Sequence, residues 1–398
     1  MNTDPIQLHK QFVVNTYAPN LLLTRGKGSR VWDSEGRSYL DFLGGIAVIQ
    51  VGHCHPKLVS AVQKQSSTLM HVSNLYFNEN QPRLAAKLVE KFGAPSRVFF
   101  CNSGAEANEG LIKLARLWGH ASGRYEIICM KNSFHGRTLA TITATGQTKY
   151  QKGFEPLPTG FVHAEFNHLE SVRAAVTEKT VAILVEAVQG EGGVIPASPE
   201  FMQGLRKLAD EKNLLLFCDE VQCGMGRTGQ WFGFQNYGIQ ADGCSLAKGL
   251  GGGIPIGAFI AGPKVSEVFH PGNHASTFGG NPVACAAALA VIDIIEKERL
   301  LENVKRVGEL MQAELQKLVA RYPWMVEVRG RGLMIGLVLS HPAKEFEKAL
   351  LAKGLIVIAT ADTVIRMLPP LNITEADVRE AARIFTETAA AYQPPAGA

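Results

Sequence analysis

The sequence predicts an α/β chain: a large unit built on a mostly parallel, doubly wound sheet, then a smaller α+β unit. Three observations predict it. Short apolar runs alternate with helix-period stretches through most of the chain, as strands buried on both faces of a parallel sheet do. Near Val283 the pattern changes to a long Ala- and Leu-rich helical zone, followed by strands and helices in a different order. The 398 residues also exceed one ordinary domain of roughly 150 residues.

Taken in order, the first elements are a short helix, an extended segment and a hairpin. Arg30–Asp33 and Arg37–Phe42 are its arms, with Ser34-Glu35-Gly36 as the turn. Helices are expected over Pro56–Leu69 and Gln81–Phe92, a strand at Val98–Cys101 and a helix over Ala105–Gly119. Further strands are expected at Glu126–Met130, Val181–Val185, Leu214–Cys218, Gly243–Leu246 and Ile256–Ala261, with a helix over Pro199–Lys212. The last third carries a helical zone over Val283–Val319 and strands at Met325–Arg329, Leu333–Leu339, Ile356–Ile358 and Val364–Leu368. Helices over Ala343–Lys353 and Thr374–Tyr392 follow, and then a frayed tail over Pro394–Ala398. The expected units are 1–55, an N-terminal segment joining the small unit; 56–285, the large unit; and 286–398, the small unit.

Global composition mainly excludes. The chain is 46% hydrophobic and 19% charged, so it is neither disordered nor collagen-like. Net charge is +4 without a basic block, which is no footprint for nucleic acid. No apolar run reaches the ~20 residues that span a membrane, and Met1–Lys10 lacks the apolar core of a signal peptide. The seven cysteines contain no Cys-x-x-Cys pair and sit in apolar segments. They read as reduced core thiols of a cytoplasmic protein.

Glycine is in excess, at 40 of 398 residues, and twelve of the 40 lie between Gly224 and Gly262. Such clustering suggests tight turns or a ligand approaching the backbone closely. Gly224-Met-Gly226-Arg-Thr-Gly229 matches a dinucleotide fingerprint, but the preceding strand ends five residues too early, and Gln230–Phe234 does not open a helix.

Other residues converge better. Asp219 ends an apolar strand, and Lys248 follows 29 residues later beside a glycine run, where desolvation favours a neutral, nucleophilic amine. Alone, each reads equally well as a turn residue or a loop lysine. Asn102-Ser103-Gly104-Ala105 links a strand to a helix, an arrangement suited to an anion. It also reads as a capping box closed by Glu106. Phe134 and Arg137 offer a stacking face and a carboxylate fork. An anion cradle, an aromatic, a strand-end carboxylate and a desolvated lysine are together what pyridoxal 5′-phosphate requires.

From Tyr17 to Thr388 the chain resembles the class III pyridoxal-phosphate aminotransferases. The blocks that carry the resemblance are Asp219-Glu-Val-Gln-Cys-Gly-Met-Gly-Arg-Thr-Gly229, Ala247-Lys-Gly-Leu-Gly-Gly-Gly253 and Ser276-Thr-Phe-Gly-Gly-Asn-Pro282. The resemblance implies a fold type I transferase acting as a homodimer. It implies that Lys248 is the Schiff-base lysine and Asp219 the partner of the pyridine nitrogen. Gln222 would bond the phenolic oxygen, Val221 and Phe134 would cover the two ring faces, and Ser103, Gly104 and Ala105 would hold the phosphate. Thr277 would reach that phosphate from the neighbouring subunit, with Ser276 near the substrate. Arg137 would take a substrate carboxylate, Arg366 the α-carboxylate of glutamate, and Glu191 would pair with Arg366 when no second carboxylate is present.

The chain departs from the family pattern at Ala105, where threonine is common, at Ala187, where proline is usual, and at Ala275. None of these removes a group the chemistry needs. Ile46 stands where ornithine-specific relatives tend to carry tyrosine, which favours an acylated amine. The implied reaction moves the δ-amino group of N2-acetyl-L-ornithine to 2-oxoglutarate. The alternatives are succinylornithine, N-succinyl-diaminopimelate, ornithine or 4-aminobutyrate as donor, or a non-catalytic binding protein on the same fold. His53 and His55 read as turn residues rather than metal ligands, and no metal is expected.

Overall fold

The structure is a computed structural model and describes residues 4–395; the expected frayed tail lies outside these from residue 396. Seven strands form the central sheet: β1 (Arg97–Cys101), β2 (Glu126–Met130), β3 (Phe161–Ala164), β4 (Thr180–Val185), β5 (Leu215–Asp219), β6 (Gly243–Leu246) and β7 (Gly257–Ala261). Their order is β1-β7-β6-β5-β4-β2-β3. The run from β6 to β3 is parallel, and β7 lies antiparallel to both β6 and β1. β3 was not expected. It is an edge strand, half-exposed over Phe161-Val-His163, so it lacks the continuous apolar run that marks its neighbours.

Alternation along the strands divides the core between the two faces of the sheet. Ile183, Val185, Leu216 and Cys218 face one cluster, while Ala182, Leu184, Leu215 and Phe217 face the other, as the two-residue period of a strand dictates. Register then brings the strand ends together: Cys218 lies opposite Val185 and Asp219 opposite Ser245. Glu186 and Asp219 therefore leave the carboxyl ends of adjacent parallel strands, where open α/β sheets bind ligands.

A further core joins the N-terminal segment to the last third. Leu40 and Phe42 pack with Ile335, Leu337, Ile365 and Phe385. Strands β8 (Met325–Arg331), β9 (Met334–Leu339), β10 (Ile358–Thr360) and β11 (Val364–Met367) form an antiparallel sheet ordered β8-β9-β11-β10. The expected strand Ile356–Ile358 is instead shared between two sheets. Leu355–Ile356 pairs parallel with Ser38–Asp41, and Ile358 begins β10. The expected helical zone is also two helices, Pro282–Lys297 and Leu300–Arg321, broken where Arg299 takes φ 53°.

One cysteine departs from the core reading: Cys54 is exposed, while the other six are buried. It sits at φ 52° in a turn fixed on both sides. His53 Nε2 meets Asp41 Oδ2 at 2.7 Å, and His55 caps the helix Pro56–Ser66. Among the described residues no cluster of potential metal ligands occurs.

Candidate active site

Asp219 forms the floor of the site. Its Oδ2 accepts from Asn108 Nδ2 at 2.7 Å and lies 2.7 Å from His135 Nδ1. Its Oδ1 accepts from the Val221 N–H at 3.0 Å and Ser245 Oγ at 3.2 Å. Burial pushes this carboxyl up, but the hydrogen bond and charge of His135 outweigh it and leave it below the usual range. His135 moves the opposite way, because Asp219 outweighs the desolvation of its imidazolium. Asp219 is thus held as an anion inside the protein.

Above it opens a cavity of about 560 Å³ lined by Ser103, Gly104, Ala105, Phe134, Arg137, Asp219, Val221, Gln222 and Lys248, within the ~300–1,000 Å³ usual for small-molecule sites. Lys248 stands at φ 45°, a strained position of the kind that collects at functional sites. Among the described residues its amine makes no hydrogen bond or ion pair. Burial lowers its pKa, partly opposed by the charge of Glu191.

The helix Gly104–Gly119 brings its N-terminus to the same cavity. Ser103 caps it, its Oγ accepting from the Glu106 N–H at 3.2 Å. The expected capping box does not close: the Glu106 carboxylate turns to the Asn102 N–H instead. The Gly104 backbone lies against Val221, where an added Cβ would come within 2.8 Å of its side chain. This close approach sets Val221 beside the helix start.

Arg366 is buried, and its Nη1 lies 2.7 Å from Glu191 Oε1 and 3.1 Å from Gln222 Oε1. This pair is no surface salt bridge. Glu191 is held below the usual carboxylate range because Arg366 outweighs the burial that pushes it up. Gln222 Oε1, expected at the site as a polar partner, is committed to Arg366. Ser276 and Thr277 do not line this cavity. They border another, with Phe99, Asn102, Glu106 and His274.

A comparison with known proteins decides the family. The Aminotransferase class-III profile matches residues 13–389. The chain is a class III aminotransferase. An acetylornithine aminotransferase from Gloeobacter violaceus is 51% identical over 385 residues, covering 95% of this chain and 96% of the relative. The N-acetylornithine aminotransferase of Stenotrophomonas maltophilia K279a is similar in structure, with a TM-score of 0.84, 36% identity and coverage of 97% and 98% of the two chains. An ornithine aminotransferase from Toxoplasma gondii ME49 superposes with a TM-score of 0.93 at 31% identity, covering 97% and 94%.

Class III aminotransferases depend on pyridoxal 5′-phosphate, and the donor set in this aminotransferase fits it. The cavity joins a desolvated amine, a buried anionic carboxylate, an aromatic face and a helix N-terminus. That is one group for each part of the cofactor.

Sequence reasoning passed over His135, Asn108 and Glu186, all of which line the cavity. Asn108 lies four residues after Gly104 and so shares its helix face. Glu186 follows β4 as Asp219 closes β5, a strand-end position that could have flagged it. Burial pushes its carboxyl up to about 7. Glu220, beside Asp219, is structural: its carboxylate accepts from the Gly233 N–H at 2.6 Å and the Phe234 N–H at 3.0 Å.

Proposed function

We propose that this aminotransferase moves the δ-amino group of N2-acetyl-L-ornithine to 2-oxoglutarate, giving N-acetyl-L-glutamate 5-semialdehyde and L-glutamate, a step of L-arginine biosynthesis. The observation that carries the reading is the pair of buried Arg366 and half-buried Glu191 at 2.7 Å. It is joined through Gln222 to a cavity lined by Arg137, which among the described residues makes no hydrogen bond or ion pair. Arg137 serves the carboxylate that both substrates possess. Arg366 serves the second carboxylate of glutamate and 2-oxoglutarate, and Glu191 neutralises it when acetylornithine occupies the site. The identity to acetylornithine aminotransferases over nearly the whole chain supports this donor.

Pyridoxal 5′-phosphate, when bound, supplies an electron sink for the charge left as a proton departs the amine-bearing carbon. The residues of the chain do the rest. Lys248 Nζ, whose pKa burial lowers, takes the proton from that carbon. Asp219, held ionised, would pair with the ring nitrogen, Phe134 and Val221 would hold the ring from its two faces, and Gln222 would bond the phenolic oxygen. Ser103 and the N–H groups of Gly104 and Ala105 receive the phosphate. Thr277 completes that cradle from a second copy of the chain, with Ser276 beside it near the substrate, so the working unit is a cytoplasmic homodimer.

Half-reactions followed in the visible spectrum test the proposal. The absorbance of the holoenzyme should bleach with acetylornithine and recover with 2-oxoglutarate. A kcat/KM higher for ornithine, succinylornithine, N-succinyl-diaminopimelate or 4-aminobutyrate would replace the donor, and no bleaching with any amine would end the catalytic reading.

A further inference from the structure

Arg137 is exposed, and among the described residues its guanidinium makes neither a hydrogen bond nor an ion pair. An arginine in that state has many rotamers to lose when it grips a carboxylate. It is not left unsupported, however. Its Cζ lies 4.2 Å from the centroid of the Tyr150 ring and 5.5 Å from that of Phe134. The two rings meet edge to face, with centroids 5.7 Å apart and planes at 85°. The guanidinium thus rests against two rings that brace each other, and the nearer is Tyr150.

Tyr150 is itself fixed. It closes the short turn Thr148–Tyr150, and the next residue ties that turn to the end of the helix Leu139–Ala144. Gln151 Nε2 donates to the carbonyls of Ile142 at 3.2 Å, Thr143 at 3.4 Å and Thr145 at 2.9 Å. Among the described residues the Tyr150 hydroxyl makes no hydrogen bond. What the residue offers is therefore its ring face. Lys149 places a second cation, Nζ, 4.9 Å from the same centroid.

We propose that Tyr150 is a positioning residue for substrate binding: its ring holds the Arg137 guanidinium by a cation–π contact, ready for the carboxylate common to amine donor and 2-oxo acid. The proposal rests on Arg137 being the shared carboxylate fork. The ring acts before the substrate arrives and equally for both substrates, because it acts on the arginine and not on the reacting atoms. Its loss belongs in KM, since an interaction alike in ground and transition states leaves kcat alone.

The experiment is a double-mutant cycle on the holoenzyme, with acetylornithine and 2-oxoglutarate varied in turn. Tyr150→Leu should raise both KM values by roughly two- to five-fold, the range of an exposed cation–π contact, while kcat changes by less than about two-fold. Tyr150→Phe keeps the ring and should restore both values. In an Arg137→Ala background Tyr150→Leu should add nothing, because the two residues act as one unit. Equal effects of Tyr150→Leu in both backgrounds, or a Tyr150→Phe as impaired as Tyr150→Leu, would overturn the positioning role. So would unchanged KM values in Tyr150→Leu when Arg137→Ala raises them. If Arg137→Ala leaves both KM values unchanged, the shared-fork reading itself is wrong, and Tyr150 loses its role with it.

Discussion

The Arg366 guanidinium is buried and faces Glu191, with Nη1 and Oε1 2.7 Å apart. A buried cation needs a partner, and removing that partner usually costs several kcal/mol. A substrate with two carboxylates can displace Glu191 and supply the charge itself, whereas a substrate with one cannot. On the proposed reaction, the pair would act as a selector between its two halves.

Replacing Glu191 with glutamine keeps the shape and removes the charge. Arg366 then waits for an anion, so the variant should favour 2-oxoglutarate over acetylornithine. The ratio of the two half-reaction kcat/KM values should shift by roughly ten-fold, or ~1.4 kcal/mol, a modest share of what a close buried charge pair is worth. Stopped-flow absorbance of each half-reaction measures it, and an unchanged ratio would show that Glu191 does not gate Arg366.

The contact between His135 and Asp219 predicts a pH-dependent stability. Asp219 is lowered in the fold, so its contribution is present above its ordinary pKa of 3.8 and lost as pH falls through the lower folded value. His135 is raised, so its contribution is present below 6.5 and lost as pH rises through the higher folded value. Both are in force between about pH 4 and 6.5. His135→Phe should therefore destabilise the cofactor-free protein most in that window, by about 3 kcal/mol, and less at higher pH. Thermal unfolding at pH 5.5 and 9 would show it; a loss that grows with pH would contradict the charged pair.

Much of this site is legible in the sequence because its chemistry sits in short contiguous blocks. Asp219 and Lys248 end segments whose apolar runs announce strands, and Ser103 opens a helix by its own capping chemistry. What stays hidden is what register and topology assemble. His135 meets Asp219 across 84 positions, and Arg366 meets Gln222 across 144, so no local pattern encodes either contact. The fold shows the same division. Continuous apolar strands are plain, whereas the edge strand β3 and the switch at Val357 between two sheets depend on neighbours that a local window does not contain.

Glu220 predicts a second pH effect of distinct origin. Burial pushes its carboxyl up from 4.5 to about 7. A raised group contributes stability that is full below the unfolded pKa and lost as pH rises through the folded one, so the wild type should weaken between about pH 5 and 8. The span amounts to on the order of 3 kcal/mol. Glu220→Gln cannot ionise. It should be less stable at pH 5, because one of the Gly233 and Phe234 N–H groups loses an acceptor, yet its stability should be flatter up to pH 8. Denaturant midpoints across that range test it, and a variant as steep as the wild type would remove Glu220 as the cause.

The segment around Phe77 predicts what covers the site. Leu75, Tyr76 and Phe77 are largely or fully exposed, as are Met70 and Phe278, and clustered apolar exposure marks an interaction surface. The segment is tied to the loop bearing Thr277. Asn74 Nδ2 donates to the carbonyls of Ser276 at 3.0 Å and Gly279 at 2.9 Å, and Asn281 Nδ2 to that of Met70 at 2.8 Å. If a second copy buries this face, the same docking brings Thr277 to the partner's phosphate cradle. Phe77→Glu should then yield monomers by light scattering and release pyridoxal phosphate readily on dialysis. Thr277→Ala should stay dimeric and lose only the cofactor grip, by roughly ten-fold for a hydrogen bond to a charged group. A Phe77→Glu protein that remains dimeric would place the interface elsewhere. A Thr277→Ala dimer that holds the cofactor as firmly as the wild type would take Thr277 out of the cradle.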